Sequence, residues 1–386
     1  MKNNKRKYLV YLILGVALIH SFLLLTGNTH FYSVMRQTIL KGRLGPSIDE
    51  YFIHPNRTVH PGTPVPWPKD EKYNQAAFTE KEKEVHQKYQ TVSFCVIQDG
   101  KLVFDHYAPG YSDTSKTNSW SVAKSIVSIL LGIAIREGEI ESLDEPIDQY
   151  LPEYQGSGIT LRHLLAMSSG INFVEQYMNP FGFAAKALYG KDNRKLVKNY
   201  KPVSKPMQIF DYQSGNTLLL GYVLKAATGK SVSEYASEKL WSRIGAEHPA
   251  LWSLDAVNQE ERAFCCFNSN ATDFARIGQL YLNQGIWEGD TIVNPDFVRE
   301  TTSLAPLKLK EGTTNDQYAY HWWVTRFNDE QIFYARGIQG QYIFMIPTTK
   351  TVIVRLGRKR DEEKVNGVPP DVWEYLKMGT RIAAAS

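Results

Sequence analysis

Residues 119–138 read SWSVAKSIVSILLGIAIREG, and this stretch decides the fold. From Ser121 to Arg136 it is apolar on nearly every face, contains no proline and runs into Glu137-Gly138, a helix stop. Such a segment rises only about 24 Å as a helix, short for a bilayer. A helix that is apolar all round without crossing a membrane belongs inside a protein. The pattern therefore predicts a buried helix that begins near Trp120 and is capped by Asn118 or Ser119. Its first turn nevertheless carries Ser121 and Lys124, which lie on one face at i and i+3. A serine hydroxyl is a weak nucleophile until a neighbour takes its proton. A lysine held at low dielectric can be neutral enough to do so. The helix N-terminus adds free N–H groups and a positive partial charge where an oxyanion would form. S-x-x-K is a weak motif alone; here it gains meaning by opening the one fully buried helix.

Upstream, VSFCVIQDGKLVFDHY (92–107) sets Asp99-Gly100 between two β-rich runs, the signature of a hairpin. Residues 79–90 are charged and helix-compatible. Pro61, Pro64, Pro66 and Pro68 exclude regular structure before them and predict an extended arm. Downstream, 160–167, 217–228 and 272–284 read as packed helices, the last capped by Thr272. The stretches 331–347 and 350–358 are strand-like, and 372–385 makes a closing helix. A hairpin, a helical middle, strands and a final helix predict an α+β fold. Its antiparallel sheet would be assembled from both chain ends and flanked by helices, with a helical subdomain inserted between.

At the start of the chain Lys2, Lys5, Arg6 and Lys7 precede an apolar run from Tyr8 to Leu25. Such a run spans about 27 Å as a helix, close to the thickness of a bilayer core. No small-x-small cleavage signal follows. The expectation is a cytoplasmic tail at 1–7, a transmembrane signal anchor at 8–25, an arm or linker at 26–85 and a catalytic domain at 86–386. Positive charge before the span places that domain outside the cytoplasm, periplasmic or extracytoplasmic; cleavage would make it secreted. With 44 basic against 40 acidic residues and no basic stripe, nucleic acid is not an expected partner. Cys95, Cys265 and Cys266 are odd in number and two are adjacent, so they read as small buried apolar residues and not as a disulfide framework. No C-x-x-C, H-E-x-x-H or metal-spaced histidine pair occurs, and no metal or cofactor is expected.

The segments 119–153 and 159–171 resemble serine β-lactamase-fold hydrolases of the class C type. So do FDYQSGNTLLLGYVLKAATG (210–229), 269–298 and FYARGIQGQYIFMIP (333–347). Within that family the likeness is greatest to the carboxylesterase and 6-aminohexanoate-dimer hydrolase branch, and it is collinear from about Val92 to the C-terminus. It implies a β-lactamase/transpeptidase-like fold. The family's Tyr-x-Asn element matches Tyr212-Gln213-Ser214, which implies that Tyr212 is the general acid/base, its phenolate stabilised by Lys124. Serine in place of asparagine counts against a β-lactam-like substrate. The family's Lys/His-Thr/Ser-Gly strand matches Ala335-Arg336-Gly337, without the cation at its first position. The backbone role survives this loss: Gly337 permits close approach, and the Ile338 N–H would join that of Ser121 as an oxyanion donor. Ser214, Arg336, Gly337 and Tyr177, the last in a loop after Gly170, become substrate-contact candidates. His163 reads as structural. No G-x-S-x-G surrounds any serine, which excludes an α/β-hydrolase elbow.

The resemblance implies hydrolysis of a small-molecule or short-peptide ester or amide through a Ser121 acyl-enzyme, without a cofactor. Two other readings remain at this stage: a non-catalytic penicillin-binding-like receptor or scaffold, and a peptidoglycan D,D-peptidase. The missing lysine counts against the peptidase.

Overall fold

The computed structural model describes residues 2–43 and 45–385. Helices named below are α1 (Lys2–Leu25), α2 (His30–Gln37), α3 (Val122–Glu137), α4 (Phe183–Tyr189), α5 (Ser214–Thr228), α6 (Ala271–Leu282) and α7 (Asp371–Ala384). The strands of the main sheet are β1 (Thr91–Gln98), β2 (Lys101–Tyr107), β3 (Trp323–Phe327), β4 (Glu330–Gly337), β5 (Gln341–Ile346) and β6 (Thr351–Gly357). They are antiparallel in the order β2-β1-β6-β5-β4-β3, so strands from the two chain ends meet where β1 pairs with β6.

Alternation along β6 shows how the layers form. Consecutive strand residues face opposite sides of a sheet. Val352 packs against Gly278 of α6, where a Cβ would come within 2.6 Å of the Val352 side chain. Ile353 packs against Gly379 of α7, where a Cβ would come within 2.2 Å. The two helices therefore cover opposite faces, and each uses a glycine to approach closely. Helix α3 is buried from Val122 to Ala134 and packs against α5 and against strands β4 and β5.

The predicted hairpin forms across Asp99-Gly100. The charged segment becomes the helix Glu80–Lys88, closed by a Thr79/Glu82 capping box. Three boundaries differ from the sequence reading. The run 331–347 is two strands, because the turn Ile338–Gly340 reverses the chain between β4 and β5. Asn270, not Thr272, caps α6 through a bond accepted from the Asp273 N–H. The helix α3 starts at Val122 with Ser121 at its N-cap, because Trp120 is left-handed at φ 47° and cannot join it.

Two further expectations are corrected. The segment 26–85 is not a free spacer. Its prolines do keep 60–68 irregular, but Asn56–Val59 pairs with Ala250–Ser253 in a second sheet of order 56–59, 250–253, 267–269, 117–118. Trp67 is buried and donates its indole N–H to the Thr272 carbonyl at 3.0 Å. Burial of that ring and completion of the small sheet hold the arm down. Cys265 and Cys266, though buried as expected, are joined to each other by a disulfide.

Helix α1 contains one stretch, Asn4–Leu25, that is long and apolar enough to cross a membrane, and the protein covers almost none of it. Side chains such as Leu9, Val10, Tyr11 and Leu12 are exposed around its circumference.

Candidate active site

The second sheet delivers the nucleophile. Thr117–Asn118 is its edge strand, and the Asn118 N–H donates to the Ile48 carbonyl of the arm at 2.8 Å. The Asn118 side chain accepts the Trp120 N–H at 2.8 Å, which stabilises the strained left-handed turn. Beyond that turn Ser121 sits half-buried at the helix head, its side chain unused for capping. The Trp120 indole N–H donates to Gln339 at 2.9 Å, and the Gln339 amide donates to the Pro46 carbonyl at 2.9 Å. The turn that carries Ile338 is thus clipped to the turn that carries Ser121. A Cβ on Gly337 would meet the Ser119 carbonyl oxygen at 2.4 Å, so the β4 terminus approaches the nucleophile segment backbone to backbone.

Lys124 is fully buried one turn along α3. Its ammonium donates to Ser121 Oγ at 3.1 Å, Ser214 Oγ at 3.1 Å and the Phe264 carbonyl at 2.8 Å. Burial brings its pKa down to about 8, against an opposing effect of the Glu175 carboxylate. The Tyr212 hydroxyl, carried just before α5, faces Ser121, an interaction that favours its phenolate. Burial pushes the phenol well above its ordinary value despite that interaction; Glu175 adds to the rise, whereas Arg336 and Arg360 oppose it. The Tyr212 ring packs on Trp323 at 5.3 Å between centroids and meets Tyr318 edge-on at 5.9 Å. Tyr212, distant in sequence, is therefore brought into one cluster with Ser121 and Lys124.

The substrate-contact candidates divide. Ser214 lies within the cluster as the first residue of α5, accepting from Lys124. Arg336 is buried and turned onto the Trp323 ring at 3.3 Å, with a bond to the Gly367 carbonyl at 3.0 Å. Trp323 thus carries Arg336 on its ring and also packs against Tyr212. Tyr177 is half exposed on the surface loop, and its hydroxyl bonds Glu175. His163 accepts the Thr160 N–H at 3.1 Å in a capping box, a structural role. His321, buried beneath α3 and lowered to about 3 by burial and the Lys124 charge, is tied to Thr217 and the Leu165 carbonyl.

Sequence reasoning missed Glu175. Its carboxylate accepts the Ser214 N–H at 2.8 Å and the Ser214 hydroxyl at 2.6 Å, completing a row Lys124–Ser214–Glu175. The only signal in the sequence was an acid two residues before Tyr177, a substrate-contact candidate. A cavity of about 410 Å³ is lined by Asp211 and Gln213, the neighbours of Tyr212 in sequence, with Ser168, Phe173 and others; Ser121, Lys124 and Tyr212 do not line it. Among the described residues no cluster of histidine, cysteine and carboxylates could hold a metal.

The Beta-lactamase family profile matches residues 75–375, and the chain belongs to that family of serine hydrolases. It is 25% identical to the 6-aminohexanoate-dimer hydrolase of Paenarthrobacter ureafaciens, over 75% of this chain and 76% of that protein. Among solved structures it resembles a provisionally named 6-aminohexanoate-dimer hydrolase from Bacillus anthracis. That likeness has a TM-score of 0.72 at 23% identity and covers 88% of this chain and 93% of the other. A family VIII carboxylesterase superposes with a TM-score of 0.60 at 17% identity, over 80% of this chain and 99% of its own. The last two likenesses speak to the fold.

Proposed function

From a member of that family whose buried lysine touches the serine at its helix head, we propose an ester or amide hydrolase that works through a Ser121 acyl-enzyme. One observation carries the reading: the Lys124 amine, lowered to about 8, lies 3.1 Å from Ser121 Oγ. At neutral pH roughly a tenth of such an amine is unprotonated, enough for a general base near its working pH. Ser121 Oγ attacks the substrate carbonyl and its proton passes to Lys124. The N–H groups of Ser121 and Ile338 hold the oxyanion. The raised pKa of Tyr212 keeps its phenol protonated in the resting enzyme, so it serves first as the acid that protonates the leaving group and not as a resting phenolate. Lys124 stays protonated beside the Tyr212 phenolate that results and stabilises it. Water attacks the acyl-enzyme with the Tyr212 phenolate taking its proton, and Ser121 leaves with the proton that Lys124 gives back.

The missing strand lysine favours substrates without a carboxylate to clamp, because Ala335 stands in its place and Arg336 is committed to Trp323 and Gly367. The test is fluorophosphonate labelling followed by peptide mass analysis, together with turnover of p-nitrophenyl acetate. Adduct mass on Ser121 supports the proposal; no adduct and no turnover would leave a binding protein.

A further inference from the structure

The end of α1 is tied to the site by a short, fully bonded path. After Leu25 the chain turns at Gly27, with the Asn28 N–H donating to the Leu23 carbonyl at 2.8 Å, and α2 begins at His30. Tyr32 folds back so that its hydroxyl meets His20 Nδ1 at 2.8 Å, level with the last turns of α1. Leu23 is buried in this joint. Helix α2 therefore does not hang on a flexible linker; it is fixed at the depth where α1 ends.

The other face of α2 grips the active-site loop. His30 Nε2 bonds the Pro180 carbonyl at 2.7 Å, and Phe31 stacks on Phe181 at 5.3 Å with the rings 13° apart. Val34 packs into a small apolar cluster with Ala185 and Tyr189 of α4. Six residues before Phe181 is Glu175, bonded to Ser214 beside Lys124. Fully extended, six residues reach no more than about 22 Å. Large apolar side chains stand exposed on both sides of this contact: Tyr32, Ile39 and Leu40 after α1, and Val174, Tyr177 and Met178 on the loop, the last 77% exposed. Aromatic and apolar residues at the level of a span's end are those that settle into a bilayer interface.

We propose that loop 174–181, at the mouth of the site, lies against the bilayer crossed by α1, and that the enzyme acts on an acyl compound held at the membrane surface. The occupant of the apolar rim is the phospholipid interface itself. The substrate half of this statement rests on the hydrolase reading; the docking half rests only on α1 spanning the membrane.

The two halves separate experimentally in the full-length chain reconstituted into phosphatidylcholine/phosphatidylglycerol vesicles. Cys95 and the disulfide pair are buried, so Met178→Cys gives one reactive site for an environment-sensitive fluorophore. Lys101→Cys, at the hairpin end of β2, is the control. The expected result is that doxyl-labelled lipid quenches the probe at 178 at least threefold more than at 101, with iodide showing the reverse order. Equal iodide quenching at both positions with no effect of doxyl lipid, or failure of the protein to float with vesicles, would overturn the docking. For the substrate half, Met178→Asp should keep p-nitrophenyl acetate turnover within twofold. Hydrolysis of p-nitrophenyl palmitate carried in the vesicles should fall at least tenfold. An equal effect on both esters would overturn it. Absence of both fluorophosphonate labelling and p-nitrophenyl acetate turnover in the unaltered protein would instead sink the hydrolase reading and leave the quenching result standing.

Discussion

Glu175→Gln should move the pH dependence of catalysis downward. The Ser214 N–H and hydroxyl donate to separate carboxylate oxygens, so Gln keeps one of these two acceptors while removing the charge. The bonds Lys124–Ser214 and Ser214–Glu175 measure 3.1 and 2.6 Å, so ammonium and carboxylate lie no more than about 5.7 Å apart. At that separation the attraction is about 0.7 kcal/mol at the dielectric of water and about 3 kcal/mol at an effective value near 20. At 1.36 kcal/mol per pH unit, the lysine should lose its proton roughly 0.5 to 2 pH units earlier in the variant. The direction follows from the charges: Glu175 favours the ammonium, opposing the burial that brings Lys124 to about 8. The assay is kcat/KM for p-nitrophenyl acetate from pH 5.5 to 9.5, whose acid limb reports the free enzyme's base. Wild-type activity should rise with a midpoint near 8, and the variant should reach half its own plateau at lower pH. Coincident midpoints, or an upward move, would show that the rate-controlling base does not feel Glu175. Lys124 would then lose its assigned role.

Ser121→Ala should abolish turnover and fluorophosphonate labelling while far-UV circular dichroism and Tm stay unchanged; retained esterase activity would remove Ser121 from the chemistry. Ile338→Pro deletes one oxyanion donor and should lower kcat by about 10²–10³-fold, with KM moving far less, in steady-state kinetics. Gly337→Ala has an allowed backbone but puts a methyl 2.4 Å from the Ser119 carbonyl, so kcat should fall at least about tenfold together with a lower Tm. Lys124→Met should alter the pH dependence of stability. Folding lowers the amine from 10.5 to about 8, so the native state carries a penalty below pH 8 that is relieved as pH rises to 10.5. Across that window wild type should gain up to about 3 kcal/mol relative to the variant in urea unfolding, and parallel curves would refute the buried cationic lysine.

What could be read from the sequence was what local spacing encodes. Ser121 and Lys124 are one helical turn apart, and Asp99-Gly100 makes a turn by its own backbone preferences, so both survive without knowledge of anything distant. The start of α3 was misplaced because Trp120 looks like an ordinary helix former. Only its bonds to Asn118 and Gln339, the second 219 residues away, reveal why it is left-handed. The arm was read as a spacer because prolines forbid regular structure but say nothing about docking; the burial of Trp67 against α6 is a long-range event. The Cys265–Cys266 bond escaped the count because adjacent cysteines are poor candidates on spacing alone.

The departures from the family pattern show the same division more sharply. Serine at position 214 and alanine at 335 were visible as losses, and a loss in a motif cannot by itself distinguish decay from a changed chemistry. The structure shows Ser214 bridging Lys124 to Glu175, so the short side chain links the base to a carboxylate supplied by the loop. Position 335 brings no cation, and the neighbouring Arg336 is held by Trp323 and Gly367. A substrate carboxylate entering beside Tyr212 would thus approach Glu175 without a strand lysine to offset the repulsion. A site that had merely decayed would have little reason to keep Lys124 buried, where its charge is costly unless it is used. The cost of that burial, beside an acid bonded to Ser214, favours the proposed hydrolase over a decayed site.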